Sequence, residues 1–340
     1  MTAAAAEPAP IDAAPLAETP GASLPPGQAE WCLGVGGARL RAALFPAKSP
    51  IGSVVLSPGR TEHIEKYVEV INELVGRGYT VLCHDWRGQG LSARLLSDPL
   101  RGHADGFGDF VADYSKMLNV FEARLPKPWI AVAHSMGGCL CLMALARGEA
   151  RVSAAILSAP MLSINAAKPM HGFAEPVTWL VAHLGWRAVY ALGNAYDPAA
   201  VTFEDDKLTH DRARHDRTRA QIVATPELQL GGVTWGWVSS ATRAIGWLSR
   251  TPLLARIEIP ITVLAAGADL LVDNVGVRAV TARLPRGRYV EIPGAYHEIL
   301  METDDIRAVF WREFDDLAAP FRAKRPRAKA PAKGTPRPRK

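Results

Sequence analysis

Ser135 stands where a hydroxyl can become a nucleophile. It lies within Ala133-His134-Ser135-Met136-Gly137-Gly138, after the apolar run Trp129 to Val132 and before the helical stretch Cys139 to Arg147. A strand that turns sharply into a helix lifts the residue at its tip clear of the sheet and points the helix's first N–H groups at the same place. Such a turn is strained, so the residues two before and two after the tip must be small. They are Ala133 and Gly137. Serine is also common at ordinary helix starts, so the hexapeptide alone does not decide its role.

A serine hydroxyl needs a base to attack at neutral pH, and the base needs a carboxylate to orient it. Both partners are present downstream. Ile261 to Ala266 reads as a buried strand and empties into Gly267-Ala268-Asp269. Arg288 to Ile292 reads as a further strand and runs into Pro293-Gly294-Ala295-Tyr296-His297. The expected base is His297 and its orienting acid is Asp269. Asp273 competes for the acid role but reads better as the N-cap of a helix starting near Asn274. The other histidines fit less well. His134 adjoins the serine and should point away from its hydroxyl, and His84 precedes Ser135 in the chain. His210 and His215 fall in the charged stretch Asp205 to Arg219, expected to be a solvated face. Acyl transfer also needs N–H donors for the developing oxyanion. The expected donors are the backbone amides of Met136 and Arg60. Arg60 closes Ser57-Pro58-Gly59-Arg60, the exit of the strand Ile51 to Leu56.

Five segments carry a resemblance to a known family. They are Gly59-Arg60-Thr61-Glu62-His63-Ile64-Glu65-Lys66-Tyr67, Asp85-Trp86-Arg87-Gly88-Gln89-Gly90-Leu91-Ser92, the turn around Ser135, Gly231-Gly232-Val233-Thr234-Trp235-Gly236-Trp237, and Gly294-Ala295-Tyr296-His297-Glu298-Ile299-Leu300. Together they resemble the bacterial lysophospholipase and monoacylglycerol-lipase branch of the α/β-hydrolases, with a domain of the serine aminopeptidase-like type. The resemblance implies the chain order Ser, Asp, His and esterase chemistry on a lipid with one acyl chain. It also makes Trp235 and Trp237 the better candidates for lining a substrate pocket. The departures are Ala133 for the elbow's usual first glycine and Pro58-Gly59 where many relatives have His-Gly. The same triad serves aminopeptidases, thioesterases and acyltransferases. A non-enzymatic binding protein on this scaffold would normally have a broken triad.

The elements that must position these residues follow from hydrophobic patterning. Strand-like runs occur at about 30–35, 39–45, 51–57, 79–84, 129–134, 153–158, 260–266 and 288–292, with helical patterns between several of them. Alternation of this kind predicts an α/β architecture, a mostly parallel eight-stranded sheet with helices on both faces, and the resemblance implies that this is the α/β-hydrolase fold. Its C-terminal edge would gather residues far apart in sequence. The predicted core is 29–160 and 255–318, interrupted at 161–254 by an inserted helical cap. Five of the nine tryptophans fall in that insertion, and most of them read as the cap's own core.

Composition bounds the rest. Residues 1–28 are rich in Ala and Pro and are predicted to be disordered. Residues 319–340 form a predicted disordered basic tail. It holds nine of the 39 Lys and Arg residues, and without it 30 basic residues face 34 acidic ones. The net charge of +5 therefore belongs to the tail. Such a tail either contacts anionic membrane lipid or simply keeps the protein soluble; no nucleic-acid motif is present. The four cysteines read as buried free thiols of a reducing compartment, and Cys139 and Cys141 are poorly spaced for a metal. No apolar stretch is long and clean enough to span a bilayer. The expected picture is a cytoplasmic enzyme without metal or cofactor, acting on a small lipid ester, with possible peripheral membrane contact.

Overall fold

The structure is a computed structural model that describes residues 12–165, 174–191 and 201–322. Its centre is a nine-stranded sheet with strands β1 (Ala13–Ala14), β2 (Gln28–Leu33), β3 (Arg39–Phe45), β4 (Gly52–Ser57), β5 (Tyr79–His84), β6 (Trp129–His134), β7 (Val152–Ser158), β8 (Ile261–Ala266) and β9 (Gly287–Ile292). The spatial order is β1-β2-β3-β5-β4-β6-β7-β8-β9. The first three strands pair antiparallel, and so do β3 and β5; every pairing from there to β9 is parallel.

Strands β4, β5, β6 and β8 are buried along their whole length. Parallel strands with both faces covered read as continuous Val, Ile, Leu and Ala runs, which is why they were visible in the sequence. One face packs beneath α2 (Phe107–Phe121) and α3 (Ser135–Ala146), the other beneath α1 (Val68–Gly76) and α8 (Asp304–Ala318). Helix α3 is apolar all round and nearly every residue in it is buried, as expected of a helix enclosed on all sides.

Between β7 and β8 the chain leaves the sheet and forms α4 (Ala174–Val181), α5 (Arg212–Ala224) and α6 (Trp235–Arg250). Side chains cap two of them: Asp211 accepts from the Arg214 amide, and Thr234 from the Trp237 amide. Helix α7 (Asn274–Thr281) is capped by Asp273, which accepts from the amides of Val275 and Gly276.

Three expectations need correction. The sheet has nine strands, not eight. Strand β1 is two alanines held by pairing to Glu30 and Ala29, and so short a strand leaves no side-chain pattern to read. Residues 12–28 were expected to be disordered, but they lie along the core. Leu16 and Leu24 pack on it, the Ala17 amide donates to Glu65 Oε1 (2.8 Å), and the Pro15 carbonyl accepts from Arg41 (3.1 Å). Counting apolar side chains overlooked those backbone groups. The stretch 205–219 is not a wholly solvated face. His215 is buried, and Arg214 is largely enclosed by Glu69, Asp211 and Asp304. Its charges pair across a seam between α5, α1 and α8. Of the expected N-terminal segment and basic tail, residues 1–11 and 323–340 lie outside the described residues, as do 166–173 and 192–200 of the insertion.

Candidate active site

Strand β6 ends at His134 and α3 begins at Ser135 with no residue between them. Ser135 is thereby forced to φ 48°, a left-handed conformation that costs a non-glycine residue of order 1–3 kcal/mol. Gly137 makes the turn possible. A Cβ there would meet the carbonyl oxygens of Pro58 and Ser57 at 2.4 and 2.5 Å. Gly59 is similarly constrained, since a Cβ would meet His134 Nδ1 at 2.7 Å and Ser135 Cβ at 3.2 Å. The exit of β4 and the start of α3 therefore touch through their glycines.

The parallel sheet brings the remote residues to this edge. Asp269 lies in the turn after β8. Its Oδ1 accepts from the amides of Leu271 (2.8 Å) and Val272 (3.0 Å), leaving Oδ2 for His297 Nδ1 at 2.7 Å. His297 lies in the loop after β9, and its Nε2 is 2.9 Å from Ser135 Oγ. An ionised carboxylate only accepts, so Nδ1 carries the proton and Nε2 is free to accept from the serine hydroxyl. Both partners are sheltered, with side chains 5% exposed for His297 and 1% for Asp269. Burial pushes the Asp269 carboxyl up. The hydrogen bond and charge of His297, with the two backbone amides, outweigh it and hold the carboxyl below its ordinary range.

Arg60 follows Gly59, whose backbone approaches Ser135, and Met136 follows Ser135 directly. Met136 is in the first turn of α3, where N–H groups have no acceptor within the helix. The Arg60 guanidinium donates to the Gly231 carbonyl and sits 5.6 Å from the Trp237 ring centre, tying this loop to the insertion. Trp237 is half-buried, edge-on to Phe107 at 5.9 Å, and packs against the core. Trp235 is half-buried at the start of α6, its amide bonded to the Val189 carbonyl. A cavity of about 110 Å³ lies between α5 and the loops of the site, reached by Thr61, Lys66, Asp206, His215 and Glu298. Among the described residues no cluster of His, Cys, Asp and Glu is arranged to hold a metal ion.

Sequence reading missed a buried charged group behind this constellation: Glu62, Lys66 and Glu298, together with His134, expected only to point away from the serine hydroxyl. The available signal was Glu62 itself, a carboxylate three residues beyond Gly59.

A sheet of this topology with a strained serine between strand and helix, a histidine after the last strand and a carboxylate between them in sequence is the α/β-hydrolase arrangement. Residues 48–304 match the family described as serine aminopeptidase, S33, and the chain belongs to that family. It is 35% identical to lysophospholipase L2 of Escherichia coli (strain K12) over 289 residues, covering 81% of this chain and 83% of the relative. It is 28% identical to the monoacylglycerol lipase of Mycolicibacterium smegmatis (strain ATCC 700084 / mc(2)155), covering 80% and 90%. The solved structure of a soluble variant of monoglyceride lipase from Saccharomyces cerevisiae, in complex with a substrate analog, superposes with a TM-score of 0.70 at 20% identity. It covers 92% of this chain and 100% of that one, which supports the fold.

Proposed function

We propose that this chain hydrolyses the carboxylic ester of a lipid bearing a single acyl chain, a lysophospholipid or a monoacylglycerol. The observation that carries the reading is the His297 imidazole bridging Ser135 Oγ and Asp269 Oδ2 at 2.9 and 2.7 Å. The 35% identity to a lysophospholipase supports the substrate class.

In the proposed reaction, His297 Nε2 takes the hydroxyl proton as Ser135 Oγ attacks the ester carbonyl. The Arg60 and Met136 amides donate to the oxyanion, each worth about 2.7–4 kcal/mol where such donors have been removed. Asp269 orients the imidazole and stabilises its charged form. The glycerol or glycerophospho group leaves with the proton from His297, and water then resolves the acyl-enzyme by the same route. Trp235 and Trp237 are proposed to border the acyl chain.

Ser135→Ala should abolish turnover while moving the thermal midpoint by no more than a few degrees. Labelling by a fluorophosphonate should occur in the wild type and vanish in the variant. Substrate class is tested with p-nitrophenyl esters, monoacylglycerol, lysophosphatidylcholine and aminoacyl amides. Strong turnover of the amides with none on the lipids would replace this reading with an aminopeptidase.

The basic tail, residues 319–340, is proposed to meet anionic lipid at a membrane surface from the cytoplasmic side. The four unpaired thiols favour a reducing compartment. Among the described residues no helix is long and apolar enough to cross a membrane. Co-sedimentation with anionic vesicles, with and without residues 323–340, tests the tail; equal binding by both forms would remove it from the proposal.

A further inference from the structure

His134 is buried directly beneath the candidate base. Its ring centre is 4.9 Å from that of His297. Its Nδ1 is 3.1 Å from Glu62 Oε2 and its Nε2 is 3.2 Å from the backbone carbonyl oxygen of His297. A carboxylate and a carbonyl only accept, so both ring nitrogens must carry protons for both bonds to form. The geometry therefore calls for an imidazolium.

The surrounding charges agree. Glu62 is buried, and besides His134 it accepts from the Gly59 amide and from Tyr67 Oη (2.5 Å). Lys66 Nζ lies between Glu62 Oε1 (3.0 Å) and Glu298 Oε1 (2.5 Å). With His134 protonated, two cations face two carboxylates. With it neutral, an uncompensated negative charge stays buried, which is costly. Burial opposes the charged ring, but the charge and hydrogen bond of Glu62 raise its pKa above the ordinary value, with Glu298 assisting and Lys66 opposing. The other titratable groups facing this cluster are His297 on its loop and Asp206 from the insertion.

We propose that His134 is a positioning residue: held as an imidazolium by Glu62, it ties the His297 carbonyl to the floor of the elbow. The same carboxylate holds the Gly59 amide, so base, nucleophile turn and oxyanion loop are set as one unit. The proposal rests on the reading of Ser135 as nucleophile and adds a second histidine to it. It differs from the orienting role of Asp269, which acts on the far nitrogen of the His297 ring, because His134 acts on the backbone.

The test combines spectroscopy with kinetics on the full chain. In ¹⁵N-histidine-labelled wild type, both ring nitrogens of His134 should be protonated at pH 7.5. His134→Gln should lower kcat on a p-nitrophenyl ester at least tenfold, leave KM within twofold, and remove the alkaline limb that His134 deprotonation gives the wild-type kcat profile. Glu62→Gln should convert the His134 signals to a neutral tautomer at the same pH. A neutral His134 ring in the wild type overturns the proposal even if both variants fail to fold. An unchanged kcat in His134→Gln also overturns it, and so does a reduced kcat with an unaltered pH profile, the mark of a merely structural role. Absence of fluorophosphonate labelling in the wild type would overturn the nucleophile reading and the positioning role together. A labelled wild type with an unaffected His134→Gln variant overturns the positioning role alone.

Discussion

Adding one methyl group at position 137 should disable the site without touching any residue proposed to react. The Cβ of Gly137→Ala would fall 2.4 Å from the Pro58 oxygen and 2.5 Å from the Ser57 oxygen. Contacts of this kind essentially never close below 3.0 Å, so the elements must separate by at least about 0.6 Å. Neither oxygen has room to swing aside. Ser57 is paired with Ala133 in the ladder between β4 and β6, and the Pro58 oxygen accepts from Trp86 Nε1 at 2.8 Å. The start of α3 must therefore slide off the end of β4, carrying Ser135 and the Met136 amide away from Arg60. Overpacking of this kind destabilises by about 1–3 kcal/mol. A misplacement approaching 1 Å at a reacting centre costs on the order of 10²-fold in rate. The assay is kcat on a short p-nitrophenyl ester beside a thermal unfolding curve. The control is Gly76→Ala at the end of α1, where a Cβ meets nothing within 4 Å; it should keep full activity and gain up to about 1 kcal/mol. A folded Gly137→Ala protein with kcat within twofold of wild type would refute the claim that this glycine sets the spacing of nucleophile and oxyanion donors.

Two further perturbations probe buried charge. Arg41 is fully enclosed and bonded to Asp85 (2.7 Å) and to both oxygens of Glu65 (2.8 Å each). Arg41→Met leaves two buried carboxylates uncompensated, which should cost about 3–5 kcal/mol and, for a chain of 340 residues, lower the thermal midpoint by roughly 4–7 °C; a fall under about 2 °C would contradict it. His84 is buried against Ser57 Oγ, and burial pushes its pKa down to about 4 despite the nearby Asp85 charge. Between about pH 6.5 and 4 the unfolded chain binds a proton that the folded chain refuses, so stability falls with pH by about 3 kcal/mol from this group. His134 has the opposite sign: its raised value stabilises the fold below about pH 6.5, and that contribution is lost as pH rises through the folded value. Urea midpoints at pH 7.5 and 4.5 should therefore converge in His84→Gln relative to wild type, and an equal drop in both proteins would exclude His84 as the cause.

What could be read in the chain, and what could not, divides along a physical line. Ser135 and Asp269 stood out because each follows a strand buried along its whole length, and His297 because it follows the last strand of the chain, β9, itself partly exposed; a parallel sheet brings such strand ends to one edge. Strands β4, β5, β6 and β8 were legible because burial on both faces writes continuous apolar runs. Strand β1 was not, being made of backbone bonds between residues without a pattern. The interior charges were hidden for a different reason. A paired, buried side chain has the same letter as a solvated one, so Glu298 and His215 gave no local sign of their surroundings. Those charges lie behind the proposed active site. Glu62, Lys66, His134 and Glu298 sit beneath the loops that carry the proposed oxyanion donors and the proposed base. Arg41, Glu65 and Asp85 hold the loop that follows β4, where the Asp85 carboxylate accepts from the Ile64 amide at 3.0 Å. Apolar burial is non-directional and tolerates sliding, whereas charge-assisted hydrogen bonds fix both distance and angle. A loop of irregular backbone that must hold an imidazole 2.9 Å from a hydroxyl needs the second kind of contact. That requirement explains why so much charge is buried behind this edge of the sheet.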